Sequence, residues 1–151
     1  MRAVAQRVSS ASVTVDGATV AAIEHGMVVL VGVAGGDTAA DADTLADKLA
    51  SIRIFADDQG RMNRAVTDVA GSILVVSQFT LLADAARGRR PSFTAAATPE
   101  VAAPLVARIQ SGLTERGIPV ATGRFGARMA VTLVNDGPVT ILLDVSGGRV
   151  R

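Results

Sequence analysis

Met129-Ala130-Val131-Thr132-Leu133-Val134-Asn135-Asp136-Gly137-Pro138-Val139-Thr140-Ile141-Leu142-Leu143-Asp144 holds two alternating apolar runs divided by a four-residue turn signal. Asn, Asp and Gly tolerate positive φ, so the segment predicts a β-hairpin with its tip at Asn135-Asp136-Gly137. Pro138 sits awkwardly in that scheme. It removes a ladder donor where the second strand should begin, which places the pairing late or at a sheet edge. An X-Pro bond in a tight turn also adopts the cis form at a cost of only about 0.5–1 kcal/mol. The hairpin is the plainer reading, and a rigid backbone device is the alternative.

The remaining periodicity is consistent with an α+β chain. Ala11 to Val15 and Ala18 to Ile23 flank an Asp16-Gly17 turn, and Met27 to Val33 is a continuous apolar run expected as a buried central strand. Thr38 reads as a helix N-cap, followed by acidic Asp41 and Asp43 and an apolar stripe of Ala42, Leu45, Leu49 and Ile52. Asp57-Asp58-Gln59-Gly60 reads as turn chemistry, and Ser72 to Phe79 as a further strand. Thr98-Pro99-Glu100 opens a second helix whose stripe is Val101, Leu105, Ile109 and Leu113, with Pro104 expected to disturb its first turns and Gly117 to stop it. Ile118 to Ala121 returns to strand. The fold expected is one α+β domain over residues 1–145, mostly antiparallel and barrel-like with two main helices, and a flexible tail at 146–151.

Composition narrows the chemistry. The 151 residues are 49% apolar with a net charge of +1, enough for one core and neutral toward the choice of partner. No cysteine is present, which excludes disulfides, thiolate catalysis and cysteine-bound zinc. A single histidine, His25, lies beside Gly26 in an apparent turn, a poor place for a Ser-His-Asp triad, and one histidine cannot build a histidine metal cluster. With four Phe and neither Trp nor Tyr, nucleic acid cannot be held on an array of stacking rings. The longest apolar run is far shorter than the roughly 20 residues of a membrane span, and no secretory signal opens the chain, so the expected location is the cytoplasm.

Two clusters remain. Ser77-Gln78-Phe79-Thr80 places three hydrogen-bonding side chains at the end of an apolar strand, and Arg87-Gly88-Arg89-Arg90 follows as a basic loop. Ser and Thr at a strand end commonly do no more than satisfy backbone, and a short basic run is commonly a solvated loop. If the site is catalytic, it suits an activated ester, for which positioning and dipoles suffice: Gln78, Thr80 and main-chain N–H groups are the candidate donors. Thr80 as a nucleophile is a second option, with no base in the sequence to activate it.

Read together, Met1-Arg2-Ala3-Val4 with Gln6-Arg7-Val8, Val76-Ser77-Gln78-Phe79-Thr80-Leu81, Gly88-Arg89-Arg90-Pro91-Ser92-Phe93, Thr122-Gly123-Arg124-Phe125-Gly126 and Asn135-Asp136-Gly137-Pro138-Val139-Thr140 resemble, in this order, the D-aminoacyl-tRNA deacylase family. Ala5 stands where a bulkier apolar residue is expected, and the tail after Asp144 has no counterpart. The resemblance implies hydrolysis of the ester that joins a D-amino acid, or glycine, to tRNA, by a homodimer with no metal or cofactor. It implies that Ser77, Gln78, Phe79 and Thr80 line the pocket, and that Gly137-Pro138, with a cis bond, enters the pocket of the other subunit as a chirality filter braced by Arg7. Arg87, Arg89 and Arg90 are the residues expected to contact tRNA. The alternatives are a non-catalytic tRNA-binding dimer, which would show salt-dependent binding without turnover, and a Thr80-dependent hydrolase of another small ester or amide, which Thr80→Ala would abolish.

Overall fold

β1 (Arg2–Val15) is the spine of the sheet. On one edge its first half pairs antiparallel with β3 (Gly26–Gly32) and its second half with β2 (Ala18–Ile23), while β8 (Ala130–Ser146) runs antiparallel along the other edge. β6 (Ser72–Ser77) and β7 (Val120–Thr122) extend the sheet beyond β3 in parallel, and β9 (Arg149–Val150) closes on the end of β8. The sheet order is thus β7-β6-β3-β1-β8-β9, with β2 also on β1. A separate small hairpin joins β4 (Phe55–Ala56) to β5 (Met62–Arg64) through the Asp57 turn, where Asp57 Oδ1 accepts from the N–H groups of Gln59 and Arg61. This computed structural model describes residues 1–86 and 88–151, and Arg87 lies outside the described residues.

Side-chain parity explains how one sheet serves two cores. Ala3 and Ala5 of β1 face α1 (Ala39–Ser51) and α2 (Pro99–Glu115), in a core with Met27, Val29, Val31, Ile73, Val75, Leu45, Leu49, Ile109 and Leu113. Val8, Ala11, Val13 and Val15 belong to the opposite face with Val28, Leu74 and Val76. The switch from even to odd positions between Val8 and Ala11 coincides with a register break against β8 at Val8/Ser10. A bulge residue shifts the two-residue period by one and bends the strand, so the sheet curls into a half-barrel.

The hairpin expected at Asn135-Asp136-Gly137 is not formed. Both flanking runs belong to the single strand β8 and pair with β1, not with each other: Gln6 stands opposite Thr140 and Val8 opposite Asn135. Five steps along β8 against two along β1 leave three extra residues, Asp136-Gly137-Pro138, looped out of the ladder. Asn135 accommodates the detour by accepting the Val139 N–H on Oδ1 at 3.0 Å.

Both helices begin where expected, after Thr38 and Thr98. Asp41 is buried, accepts the Thr38 N–H and hydroxyl at 2.8 Å each, and also takes the Gly148 N–H at 2.8 Å. In the segment expected as a tail, 146–151, Ser146 ends β8 and Val150 pairs with Val145. α2 continues through Pro104, and its buried side is set by Val106, Ile109 and Leu113, with Val101 turned to solvent. Among the described residues no helix is long and apolar enough to cross a membrane.

Candidate functional site

β6 ends at Ser77, one residue earlier than Gln78 and two earlier than Phe79, because the chain there turns into a 3-10 helix, Phe79–Leu82. Gln78 anchors the exit by donating its N–H to Val31 O at 2.7 Å. The turn folds over the end of β3 at Gly32, where an added Cβ would lie 2.3 Å from Leu82 Cδ2 and 3.0 Å from Gln78 O. Only a residue without a side chain allows that approach. Arg2 tethers the same turn to β1 by donating from Nη1 to Leu81 O at 3.2 Å.

Beside this turn opens a cavity of about 540 Å³ whose lining is apolar except for Ser77 and Gln78. Val31, Val33 and Val76 form its floor, and Ala97, Pro99, Ala102 and Val106 form the wall on the α2 side. Phe79 and Phe93 meet edge to face at 5.1 Å on the rim, and Phe125 lines the cavity from the loop before β8. The rim is held by backbone pairing: Asp84 and Ser92 exchange two hydrogen bonds of 2.8 Å, and Ala97 donates to Val33 O at 2.9 Å. Phe79 is 57% exposed, which is unusual for the largest apolar residue type in this chain and leaves a ring face available at the cavity.

Phe79 and Thr80 open the 3-10 turn, and their N–H groups make no protein hydrogen bond among the described residues, whereas Leu81 and Ala83 donate back into the turn. Phe79 lines the cavity and Thr80 follows it, and consecutive free main-chain donors of this kind suit developing negative charge on oxygen. The Gln78 side-chain amide donates to Thr80 Oγ1, and no histidine or carboxylate is bonded to that hydroxyl among the described residues. His25 is at the other end of β3, exposed and packed edge to face on Phe55 at 5.3 Å.

Gly137 and Pro138 are joined by a cis peptide bond, with Gly137 at φ +136°. Arg7 reaches under the loop from β1: its Nε donates to Asp136 O at 3.0 Å and its Nη1 to Ile54 O at 2.6 Å. The Asp136 carboxylate lies 3.4 Å from Arg7 Nε, so the guanidinium ties the extruded residues to the sheet and to the α1–β4 connection. This group is not at its own chain's cavity. Arg7 stands level with Met27 and Ile73 across the sheet, while Ser77 stands level with Val31 and Ala3. Ser77 on β6 and the dipeptide looped from β8 are four residues apart along the strands and three strand spacings apart across the sheet, roughly 20 Å along its surface.

The structure thus assembles Ser77, Gln78 and Phe79 at the cavity, leaves Thr80 exposed next to Phe79 and outside the lining, and gathers Arg7, Gly137 and Pro138 into a second group. Arg89 and Arg90 are exposed in the loop closed by Asp84 and Ser92, and Arg87 is not described. Phe93 and Phe125 are cavity residues that local sequence does not single out: of four Phe, only Phe55 is buried, and the other three line the cavity.

A family model described as D-Tyr-tRNA(Tyr) deacylase matches residues 4–144. A protein of Roseiflexus castenholzii named D-aminoacyl-tRNA deacylase is 62% identical over 144 residues, covering 95% of this chain and 92% of that one. One of Halalkalibacterium halodurans with the same name is 54% identical over 144 residues, covering 95% and 99%. Among solved structures, one titled c-Myc DNA Unwinding Element Binding Protein is similar at a TM-score of 0.90 with 39% identity, covering 95% of this chain and 98% of that chain. A second, titled as a probable eukaryotic D-amino acid tRNA deacylase, shares the fold at a TM-score of 0.82 with 18% identity over 93% and 97% of the two chains.

Proposed function

The chain belongs to the D-Tyr-tRNA(Tyr) deacylase family, and from that premise we propose that it hydrolyses the ester of D-aminoacyl-tRNA, releasing the free amino acid and tRNA. The match over residues 4–144 carries this reading, and the cavity supplies chemistry suited to it. An aminoacyl ester is already activated. It needs a positioned water and stabilisation of the tetrahedral oxyanion more than it needs a strong base.

The Phe79 and Thr80 N–H groups supply the oxyanion donors, each worth about 2.7–4 kcal/mol when held in place. The apolar cavity with its Phe rim takes the terminal adenosine, and Ser77 and Gln78 give it polar partners. The ribose 2′-hydroxyl of the substrate orients the attacking water, so no histidine is required. Thr80 contributes through its backbone; its hydroxyl accepts from the Gln78 amide and has no base bonded to it among the described residues.

Selection of the D ester is assigned to Gly137 and Pro138 of a second copy of the chain, whose two carbonyls receive the substrate α-amino group so that an L side chain would run into main chain. Glycine, with nothing to exclude, passes the filter, so glycyl-tRNA is also a substrate. Two observations support a pocket completed in trans. Neither Gly137 nor Pro138 is among the residues that line the cavity of its own chain. Val134 and Leu142, on β8 either side of the dipeptide, are 56% and 71% exposed, which suits a face covered by a partner.

The test is release of labelled D-tyrosine from D-tyrosyl-tRNA by the purified chain, beside sedimentation of the same sample. Accelerated release from a dimer supports the reading, and an ester as long-lived as in buffer alone rejects it.

A further inference from the structure

Arg2, Arg7, Arg61, Arg64, Arg108 and Arg116 each lie within salt-bridge distance of a carboxylate. Arg53, Arg89, Arg90, Arg124, Arg128, Arg149 and Arg151 do not, among the described residues, and all seven are exposed; four of them, Arg89, Arg90, Arg124 and Arg128, fall in two acid-free segments. The sequence explains why. No Asp or Glu occurs between Asp84 and Glu100, or between Glu115 and Asp136, so these two segments carry arginine with no local acid to neutralise it.

The same two segments form opposite parts of the cavity wall. Phe93 follows Arg89 and Arg90 on one side. On the other, Phe125, Gly126 and Ala127 line the cavity, with Arg124 and Arg128 directly before and after them. The Arg124 carbonyl accepts the Ala127 N–H at 3.1 Å, and Gly123 donates to Val75 O at 3.0 Å, so this second segment is a fixed turn docked on β6. In a chain of net charge +1, four exposed arginines without a carboxylate partner among the described residues thus sit in the two segments that contribute to this cavity wall.

We infer that Arg124 and Arg128 form a phosphate-binding lip of the cavity, opposite Arg89 and Arg90, and hold the backbone of the single-stranded RNA end whose terminal nucleoside occupies the pocket. Guanidinium pairs with phosphate oxygens in forked geometry, and a chain end that enters an apolar pocket must lay its adjoining phosphates across the rim. The inference rests on the proposed substrate being tRNA. It adds a determinant that discriminates a nucleic-acid ester from the same ester on a bare nucleoside.

Two measurements test it. Binding of uncharged tRNA is titrated against KCl for wild type, Arg124→Ala/Arg128→Ala, Arg124→Lys/Arg128→Lys and, as a control whose guanidinium is already committed to Asp43, Arg108→Ala. Loss of two phosphate contacts should flatten the slope of log K against log salt by about 1.4, since each single-strand contact contributes about 0.7. The Lys pair should retain the wild-type slope and Arg108→Ala should leave it unchanged. In parallel, the Ala pair should raise KM for D-tyrosyl-tRNA roughly tenfold while leaving kcat/KM for D-tyrosyl-adenosine, which has no phosphate, unaltered. An unchanged slope, or equal losses on both esters, overturns the lip. If wild type cleaves neither ester, the deacylase reading falls, and the salt slope still decides the role of the two arginines.

Discussion

Replacing Gly137 by Ala probes the extruded loop where it has least room. A Cβ built there lies 2.8 Å from Val139 Cγ2, 2.9 Å from Val139 N and 3.1 Å from Arg7 Nη2, and φ is +136°. The Val139 nitrogen is main chain and cannot swing aside, and an L residue at that φ costs about 1–3 kcal/mol by itself. At about 2–4 °C per kcal/mol for a chain of this size, Gly137→Ala should melt roughly 2–12 °C below wild type. Relief of the contact also pushes the loop off Arg7, and a displacement near 1 Å at a positioning group costs about 100-fold in rate. Melting is followed by circular dichroism, and D-tyrosyl-tRNA hydrolysis is measured well below both transitions. Adding Val139→Ala removes only the Cγ2 contact, so it should restore little. Wild-type melting with wild-type hydrolysis would refute the steric reasoning, and full rescue by Val139→Ala would refute the role given to backbone.

Gly32→Ala should displace the Phe79–Leu82 turn, because the new Cβ meets Leu82 Cδ2 at 2.3 Å and Leu81 Cβ at 3.1 Å; hydrolysis should fall by about 10- to 100-fold. Overpacking of this kind costs about 1–3 kcal/mol, so a folded but slow enzyme is expected, and an unaltered rate would contradict the assigned donors. Thr80→Ala should retain hydrolysis within about tenfold, because the N–H groups remain when the hydroxyl is lost; complete loss would restore the nucleophile reading. Asp41→Asn should lower stability at pH 7 by about 2 kcal/mol in denaturant unfolding. The Asp41 carboxyl is held below its ordinary range, first by the Gly148 N–H and then by Thr38, against the opposing effect of burial. Its contribution is present above the unfolded-state value near about 4 and fades as pH falls through the lower folded value, so wild type and variant should converge in acid. A gap constant from pH 7 to pH 2 would contradict that assignment.

The features legible in the sequence were those with local causes. The Asp16-Gly17 turn between β1 and β2, the helix starts after Thr38 and Thr98, and the ordered motifs around Ser77 and Gly137 each announce themselves within a few residues. The long partner of β8 was not legible. Residues 2–10 of β1 interleave Gln6, Arg7, Ser9 and Ser10 with small apolar residues, and a bulge breaks their parity. Without β1 in view, Asn135-Asp136-Gly137 reads as a hairpin tip, because positive-φ tolerance serves a loop bulged from one strand as well as a turn between two. The same non-local geometry hid the rim. Phe93 and Phe125 lie 32 residues apart in sequence and line one cavity because their loops are tied to Val33, just after β3, and to Val75 of β6.

The central claim is that the chain removes D-amino acids from tRNA by a main-chain filter supplied in trans. Its most direct test is the pair of hydrolysis rates for D- and L-tyrosine carried by the same tRNA, with the purified wild-type protein. Fast loss of the D ester with the L ester decaying at the buffer rate is the expected result. Equal acceleration of both would contradict the filter, and the pocket would then be that of an unselective esterase.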